Sequence, residues 1–175
     1  VAKDFLADLT IPKGATGDLT VGSANFAESE VTAELYAQAL TASGANITKK
    51  LQFGARDAYI PALQSGDLDV VPEFVGTLAY FFDGNATVTS DLEPSLVVSR
   101  TLAAARGISL LDAAQADSVN TFVVTEDTAE EYGLKTVSDL KKVDDDLVLG
   151  GPPECPERPL CLKGLVDVYG LKFKA

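Results

Sequence analysis

Short apolar runs alternate with amphipathic stretches along most of this chain. The apolar runs at 19–22, 47–53, 68–71 and 108–111 predict buried strands. Between them, apolar residues recur at helical spacing in four stretches. These cover 27–43, the residues from the turn at 54–57 to about residue 65, the residues from Pro72 to residue 82, and 92–106. Gly44, Gly66 and Gly107 follow three of these stretches as helix ends. The order βαβαβαβ predicts an α/β lobe with a doubly wound sheet.

The pattern changes after this lobe. Residues 112–118 are small and polar, as a hinge between lobes would be. Beyond them we predict strands at 119–125 and 147–149, short helices near 128–132 and 137–141, and a helical piece over 162–169. We therefore predict a leader segment 1–17, a lobe I over 18–112 and a lobe II over 113–175. By length, the second lobe is expected to be unfinished.

The stretch from Gly66 to Thr77 is the most informative part of the sequence. Its strand stops at Pro72 and leads into a helix, so Glu73, Phe74 and Thr77 fall at the carboxyl end of a strand. In open α/β sheets ligands bind at that edge. A similar strand-to-helix junction occurs earlier, where Asn25 and Glu28 predict a capping box.

Composition limits the class of partner. With 46% apolar and 23% charged residues, the 175-residue chain is typical of a globular protein. Its net charge of −12 argues against a nucleic acid or an anionic membrane as partner. The charge weakly favours a cationic ligand, although solvation of the surface is the preferred explanation for it. No apolar run reaches the roughly 18 residues of a membrane span, and the start at Val1 leads us to expect a processed or trimmed product.

The chain has two cysteines, Cys155 and Cys161, separated by a segment that contains Pro156 and Pro159. A metal site would need further ligands, and the chain has no His, so no metal site is expected. We favour a disulfide that closes a small loop over two free thiols. A disulfide in turn predicts an extracytoplasmic location.

The sequence contains few residues that could act in catalysis. Without His, and with both cysteines expected to be joined, the usual bases and nucleophiles are missing, and no Ser lies in a nucleophile-elbow pattern. No glycine-rich phosphate loop or dinucleotide motif occurs. We therefore predict a protein without catalytic residues and without a cofactor.

Several motifs in order resemble one family, over about residues 18–174. The motifs are Val21-Gly-Ser-Ala-Asn-Phe26, Ala62-Leu-Gln-Ser-Gly-Asp-Leu-Asp69, Pro72-Glu-Phe-Val-Gly-Thr77, Asn120-Thr-Phe122 and Gly150-Gly-Pro-Pro-Glu154. With these motifs the chain resembles the glycine betaine/choline-binding proteins of osmoprotectant ABC importers. The resemblance implies a type II periplasmic-binding-protein fold, with two lobes of doubly wound sheets around a hinge.

The resemblance also implies a binding site. In this family an aromatic cage holds the quaternary ammonium group, which has no N–H to donate and is attracted to the faces of aromatic rings. Phe74 and Phe122 match two cage positions, one from each lobe, although core packing is the simpler interpretation of either ring by itself. Thr77 matches the position that binds a ligand carboxylate, and Arg158 is its expected charged partner. Ala24, beside Asn25, stands where many relatives carry Lys, so one charge for the carboxylate is gone.

The function implied is capture of a quaternary ammonium solute outside the membrane, in the periplasm or from a lipid anchor, for an ABC permease. Glycine betaine, choline, carnitine and ergothioneine all remain open as the ligand. The alternative is a sensory or regulatory domain of the same fold. Because the other cage residues of the family fall beyond Ala175, we expect either a fragment or a second chain that completes lobe II.

Overall fold

The computed structural model describes residues 11–116, 118–151 and 155–174. The chain divides into two compact units, with the division between Gln115 and Ala116. The lobe bounds predicted from the sequence stay a prediction, and residues 1–10 of the predicted leader lie outside the described residues. None of the helices in the described ranges is long and apolar enough to cross a membrane.

The first unit is built on a parallel strand–helix–strand motif. Strands β1 (Asp18–Ala24) and β2 (Asn46–Gly54) are joined by helix α1 (Ala27–Ser43). They pair in parallel from Asp18 opposite Asn46 to Gly22 opposite Lys50, and the register then shifts so that Ala24 lies opposite Gly54. At the shift Gln52 has a φ of 52°, and its N–H donates to the Ser23 hydroxyl at 2.8 Å. The two extra residues of β2 form a bulge there, and the pairing resumes between Ala24 and Gly54.

The predicted strand at 68–71 contributes a single bridge. Val70 pairs in parallel with Val21 on the side of β1 away from β2, and the Gly22 N–H donates to the Val70 carbonyl at 2.8 Å. Strand β1 is therefore the central one. The chain reaches Pro72 two residues later, and proline has no N–H with which to continue a ladder.

Within the described residues of the first unit, three further helices follow: α2 (Arg56–Ser65), α3 (Val75–Phe82) and α4 (Leu92–Ala104). Gly66 ends α2 in the left-handed conformation that the sequence predicts, with a φ of 80°. One core cluster lies between these helices and β1. Its buried members are Ala24, Tyr59, Ile60, Ala62, Leu68 and Leu78.

The strand predicted at 108–111 does not form. Ile108 and Leu110 pack against the core cluster, which explains their apolar pattern. The Leu110 carbonyl, however, accepts a hydrogen bond from Arg100 Nε at 3.2 Å and not from a neighbouring strand. The apolar pattern therefore predicts which side chains pack on the core. A strand also needs hydrogen-bond partners for its backbone, and these come from another strand.

Residues 11–17 of the predicted leader lie within the described part of the chain, and some of them form hydrogen bonds with the carboxyl end of α1. The Ser43 hydroxyl donates to the Pro12 carbonyl at 2.6 Å, and the Gly14 N–H donates to the Ser43 carbonyl at 3.1 Å. These bonds satisfy groups that a helix end leaves without intrahelical partners.

The second unit contains α5 (Glu126–Tyr132), α6 (Leu162–Tyr169) and three short 3₁₀ helices (Val137–Lys142, Asp144–Asp146 and Cys155–Glu157). Its core contains Leu140, Leu165 and Leu171. The strands predicted at 119–125 and 147–149 were wrong. Residues 119–125 form no backbone pairing with another strand, and residues 147–149 contribute only a single bridge, between Val148 and Lys174. The predicted helix at 137–141 is a 3₁₀ helix. Val119 and Val123 are 75% and 86% exposed, so their β-branched pattern does not report a buried strand.

Candidate functional site

Two aromatic rings meet where β1 ends. Phe26 follows the strand in an extended conformation, and Phe74 occupies the extended position just before α3. Their ring centroids lie 6.1 Å apart, with the ring planes tilted by 30°. Phe26 is 46% exposed and Phe74 is half-buried, so the pair is partly open to solvent. This places an aromatic surface at the edge of the sheet where α/β proteins bind ligands.

Glu73 anchors the backbone beside Phe74. Its carboxylate accepts two hydrogen bonds from Arg56, from Nε at 2.9 Å and from Nη2 at 2.8 Å. The Tyr59 hydroxyl donates to the same carboxylate, and so does the Phe74 N–H at 2.8 Å. Four donors therefore converge on Glu73, which makes it a fixed support for Phe74.

Thr77 belongs to the same network. Its hydroxyl oxygen accepts a hydrogen bond from Arg56 Nη2 at 2.8 Å, and the hydroxyl lies 3.4 Å from the Phe74 carbonyl oxygen. Thr77 lies in the first turn of α3. Glu73, before Phe74, and Thr77, after it, therefore both accept hydrogen bonds from the Arg56 guanidinium. The predicted role of Thr77 in binding a carboxylate stays a prediction.

Burial strengthens this network. The side chains of Arg56 and Glu73 are only 15% and 11% exposed. Burial by itself lowers the pKa of Arg56, but the hydrogen bonds and the charge of Glu73 outweigh it and hold the pKa above its ordinary value. Burial, and then the charge of Glu73, raise the pKa of Tyr59 well above its ordinary range. The Arg56 guanidinium and the Tyr59 phenol therefore both stay protonated at physiological pH.

Ala24 and Asn25 occupy different environments. Ala24 is 5% exposed and packs in the core cluster with Tyr59. Asn25 is exposed, and its N–H donates to the Gly54 carbonyl at 3.2 Å. The predicted capping box was wrong, because Phe26 is the residue before the first helical turn and no side chain caps it. Ser29 instead accepts the Ala24 N–H at 3.0 Å. Contact of either residue with a ligand stays a prediction.

The other predicted site residues belong to the second unit. Phe122 is 37% exposed and lies in the stretch before α5. Arg158 is exposed and follows the 3₁₀ helix Cys155–Glu157, where its N–H donates to the Cys155 carbonyl at 3.2 Å. Their participation with Phe74 in one cage stays a prediction.

The predicted disulfide is confirmed. Cys155 and Cys161 are bonded, with a Cα–Cα distance of 5.2 Å. Cys155 is 3% exposed, so this end of the disulfide is buried within the second unit. Among the residues that the structure describes, no group of three or more His, Cys, Asp or Glu side chains is arranged to hold a metal ion.

Sequence reasoning missed three residues of this site: Phe26, Arg56 and Tyr59. The signal for Phe26 was its place directly after the first strand, in the motif that also contains Asn25. Arg56 and Tyr59 are three positions apart at the start of a helix and therefore share a face, which is a weak signal. Only the folded chain shows that this face meets Glu73.

The parallel strand–helix–strand architecture of the first unit is that of the periplasmic-binding-protein class. The chain belongs to the OpuAC family, described as the substrate-binding domain of ABC-type glycine betaine transport systems, and residues 17–175 match it. This confirms the family inferred from the motifs. The family is one of transport and not of catalysis.

Individual relatives agree with this assignment. The chain is 27% identical to the glycine betaine-binding protein YehZ of Escherichia coli (strain K12) over 97% of its own length and 57% of that protein. It is 27% identical to a glycine-betaine-binding protein of Pseudomonas aeruginosa, over 89% of its own length and 52% of that protein. The chain spans about half the length of the curated relatives that it matches.

Solved structures confirm the predicted fold class. The structure of apo YehZ from Escherichia coli is similar with a TM-score of 0.62 and 26% identity, covering 90% of this chain and 58% of that one. A glycine betaine/carnitine/choline ABC transporter structure shares the fold with a TM-score of 0.60 and 23% identity, covering 92% of this chain and 59% of that one.

Proposed function

We propose that the protein captures a quaternary ammonium solute outside the membrane and delivers it to the permease of an ABC importer. Glycine betaine, choline and carnitine are the ligands to test first. The observation that carries this proposal is the pair formed by Phe26 and Phe74, held by Glu73 at the carboxyl end of β1. Membership of the OpuAC family supports it.

The chemistry of the pair suits such a ligand. A trimethylammonium group cannot donate an N–H hydrogen bond, so an aromatic face is its best partner in a protein. Two rings whose centroids are 6.1 Å apart offer neighbouring faces. Glu73 is not the counter-ion in this proposal, because its oxygens already accept bonds from Arg56, Tyr59 and the Phe74 N–H.

Phe122 and Arg158 are proposed as further ligand contacts, because they lie in the part of the chain that matches the family. The Cys155–Cys161 disulfide supports the extracytoplasmic location, because disulfides persist in oxidising compartments.

Calorimetric titration of the full-length protein with glycine betaine, choline, carnitine and ergothioneine tests the proposal. For a ligand that binds, Phe74→Ala removes one cation–π contact, and we expect affinity to fall by about 3- to 30-fold. Phe81→Ala is the matched control, because Phe81 is an exposed ring on α3, the helix that Phe74 precedes, and it is paired with Phe82 and not with Phe26. Equal affinities in wild type and Phe74→Ala would remove Phe74 from the site.

A further inference from the structure

Gln52, in the β2 bulge, has an unusual backbone conformation. Its φ of 52° lies in the left-handed region, and among the residues that the structure describes it is the one non-glycine residue with a positive φ. That region is unfavourable for a residue with a long side chain, and glycine or asparagine normally occupies it. Such positions persist only where the surrounding structure holds them, and they are enriched at functional sites. The contacts of Gln52 show what this conformation achieves.

The main chain of the bulge is bonded to the residues that lead into Phe26. The Gln52 N–H donates to the hydroxyl of Ser23 at 2.8 Å, and Ser23 is completely buried. Two residues further along β2, the Gly54 carbonyl accepts the Asn25 N–H at 3.2 Å. Ser23 and Asn25 lie just before Phe26 in the chain, so the bulge holds the approach to this ring.

The side chain of Gln52 holds the chain after Phe26. Its Nε2 donates to Glu30 Oε2 at 2.8 Å. Glu30 lies in the first turn of α1, and its own N–H donates to the Phe26 carbonyl at 3.1 Å. Because Phe26 is 46% exposed, packing around its ring constrains it less than it would constrain a buried ring. The main chain and the side chain of one residue therefore fix the backbone on both sides of Phe26.

We propose that Gln52 is a positioning residue for the aromatic pair and that it acts through Phe26. The β2 bulge sets where Phe26 lies relative to Phe74, and with it the 6.1 Å separation of the two ring centroids. The inference rests on the proposed function, because these rings are the proposed contacts of the quaternary ammonium group. It adds a residue of β2 to a site otherwise built from the segments that precede α1 and α3.

The substitution Gln52→Asn separates this role from a purely structural one. Asparagine adopts the left-handed region more readily than glutamine, and it keeps the N–H that donates to Ser23. Its side chain is one methylene shorter and loses the bond to Glu30. That bond is exposed to solvent, where water replaces it, so its loss costs little stability. We therefore expect weaker ligand binding with no fall in the urea midpoint of unfolding.

Calorimetric titration of the full-length protein measures the effect on binding. Choline, glycine betaine and carnitine all carry a trimethylammonium group, so the one that the wild type binds most tightly serves as the test ligand. Gln52→Asn is expected to weaken its binding by about three- to tenfold, because the displaced ring loses part of its cation–π contact.

Gln38→Asn is the matched control for this titration. Gln38 Nε2 also donates to a glutamate of α1, Glu34, at 2.8 Å. Gln38 lies about three turns along that helix from Phe26, so its bond does not hold the chain beside the ring. We expect wild-type affinity for this control.

A double-mutant cycle tests whether Gln52 acts through the ring of Phe26. If it does, adding Gln52→Asn to Phe26→Ala weakens binding by less than about 1.5-fold, because no ring remains to be positioned. Hydrogen exchange tests the positioning without a ligand. The Glu30 N–H donates to the Phe26 carbonyl, so Gln52→Asn is expected to speed exchange of this amide about threefold or more relative to Gln38→Asn.

The possible results separate the inference from the proposed function. Affinity of Gln52→Asn within about twofold of wild type would overturn the inference and leave the proposed function intact. So would an equal loss with and without the Phe26 ring, or unchanged exchange of the Glu30 amide. A parallel fall in affinity and in the urea midpoint would assign Gln52 to the fold alone and also overturn the inference. Failure of the wild-type protein to bind any quaternary amine would overturn the proposed function, and the inference with it.

Discussion

The buried phenol of Tyr59 makes the free energy of unfolding depend on pH, and the substitution Tyr59→Phe removes this dependence. Tyr59 is 3% exposed and donates its hydroxyl hydrogen to Glu73. Burial first, and the neighbouring Glu73 charge second, raise its pKa in the folded protein above the ordinary value of 10.0. The folded protein thus holds this proton more tightly than the unfolded chain. The resulting stabilisation is fully present below pH 10 and is lost as the pH rises, because the unfolded chain ionises first.

The magnitude follows from linkage. If the folded Tyr59 stays neutral, raising the pH from about 9 to about 11 lowers the free energy of unfolding by about 1.4 kcal/mol through this residue. With an m-value of about 2 kcal/mol per molar, the urea midpoint falls by about 0.7 M more in wild type than in Tyr59→Phe. The variant is also less stable at neutral pH by about 1–2 kcal/mol, because Glu73 loses a donor.

Urea unfolding of the full-length protein, followed by circular dichroism at both pH values, measures this difference. Lysines also titrate in this range, but they do so equally in both proteins. Tyr36→Phe is the matched control, since Tyr36 is 43% exposed on α1 and is not among the donors to Glu73. The same pH dependence in wild type and in Tyr59→Phe would refute the reasoning.

Two further predictions concern stability. Gly22→Ala would bring a methyl group to 2.8 Å from Leu68 Cδ1 and 3.2 Å from Val71 Cγ2, so we expect a loss of about 1–3 kcal/mol in urea unfolding; a variant as stable as wild type would mean that Leu68 yields at little cost. Replacing Cys155 and Cys161 together by Ser removes a short cross-link of sequence separation 6 and is expected to cost about 2 kcal/mol in thermal unfolding. An unchanged unfolding temperature for that double variant would contradict it.

Elements defined by local signals were predicted well. Helix α1 runs over Ala27–Ser43 as the periodicity indicates, and Gly44 and Gly66 follow helices as predicted. The disulfide followed from two cysteines in a chain without His, and it is confirmed. Such features depend on residues close together in the sequence, so the sequence alone contains the information.

Elements that need a distant partner were predicted poorly. Residues 108–111 have the apolar pattern of a strand, yet Leu110 gives its carbonyl to Arg100. Residues 119–125 have β-branched residues, yet Val123 is 86% exposed. A strand is defined by hydrogen bonds to another strand, and periodicity reports only which side chains are apolar.

The sequence by itself determined the family, the α/β class and the place of Phe74 at the carboxyl end of a strand. It could not show that Phe26 stacks near Phe74, nor that Arg56 and Tyr59 converge on Glu73. Those contacts join residues 14 to 48 positions apart. In a chain with 26 acidic residues, nothing local indicates which carboxylate a given arginine will meet. Only tertiary packing decided that partner, because it brings the start of α2 beneath the start of α3 and excludes water from the pair.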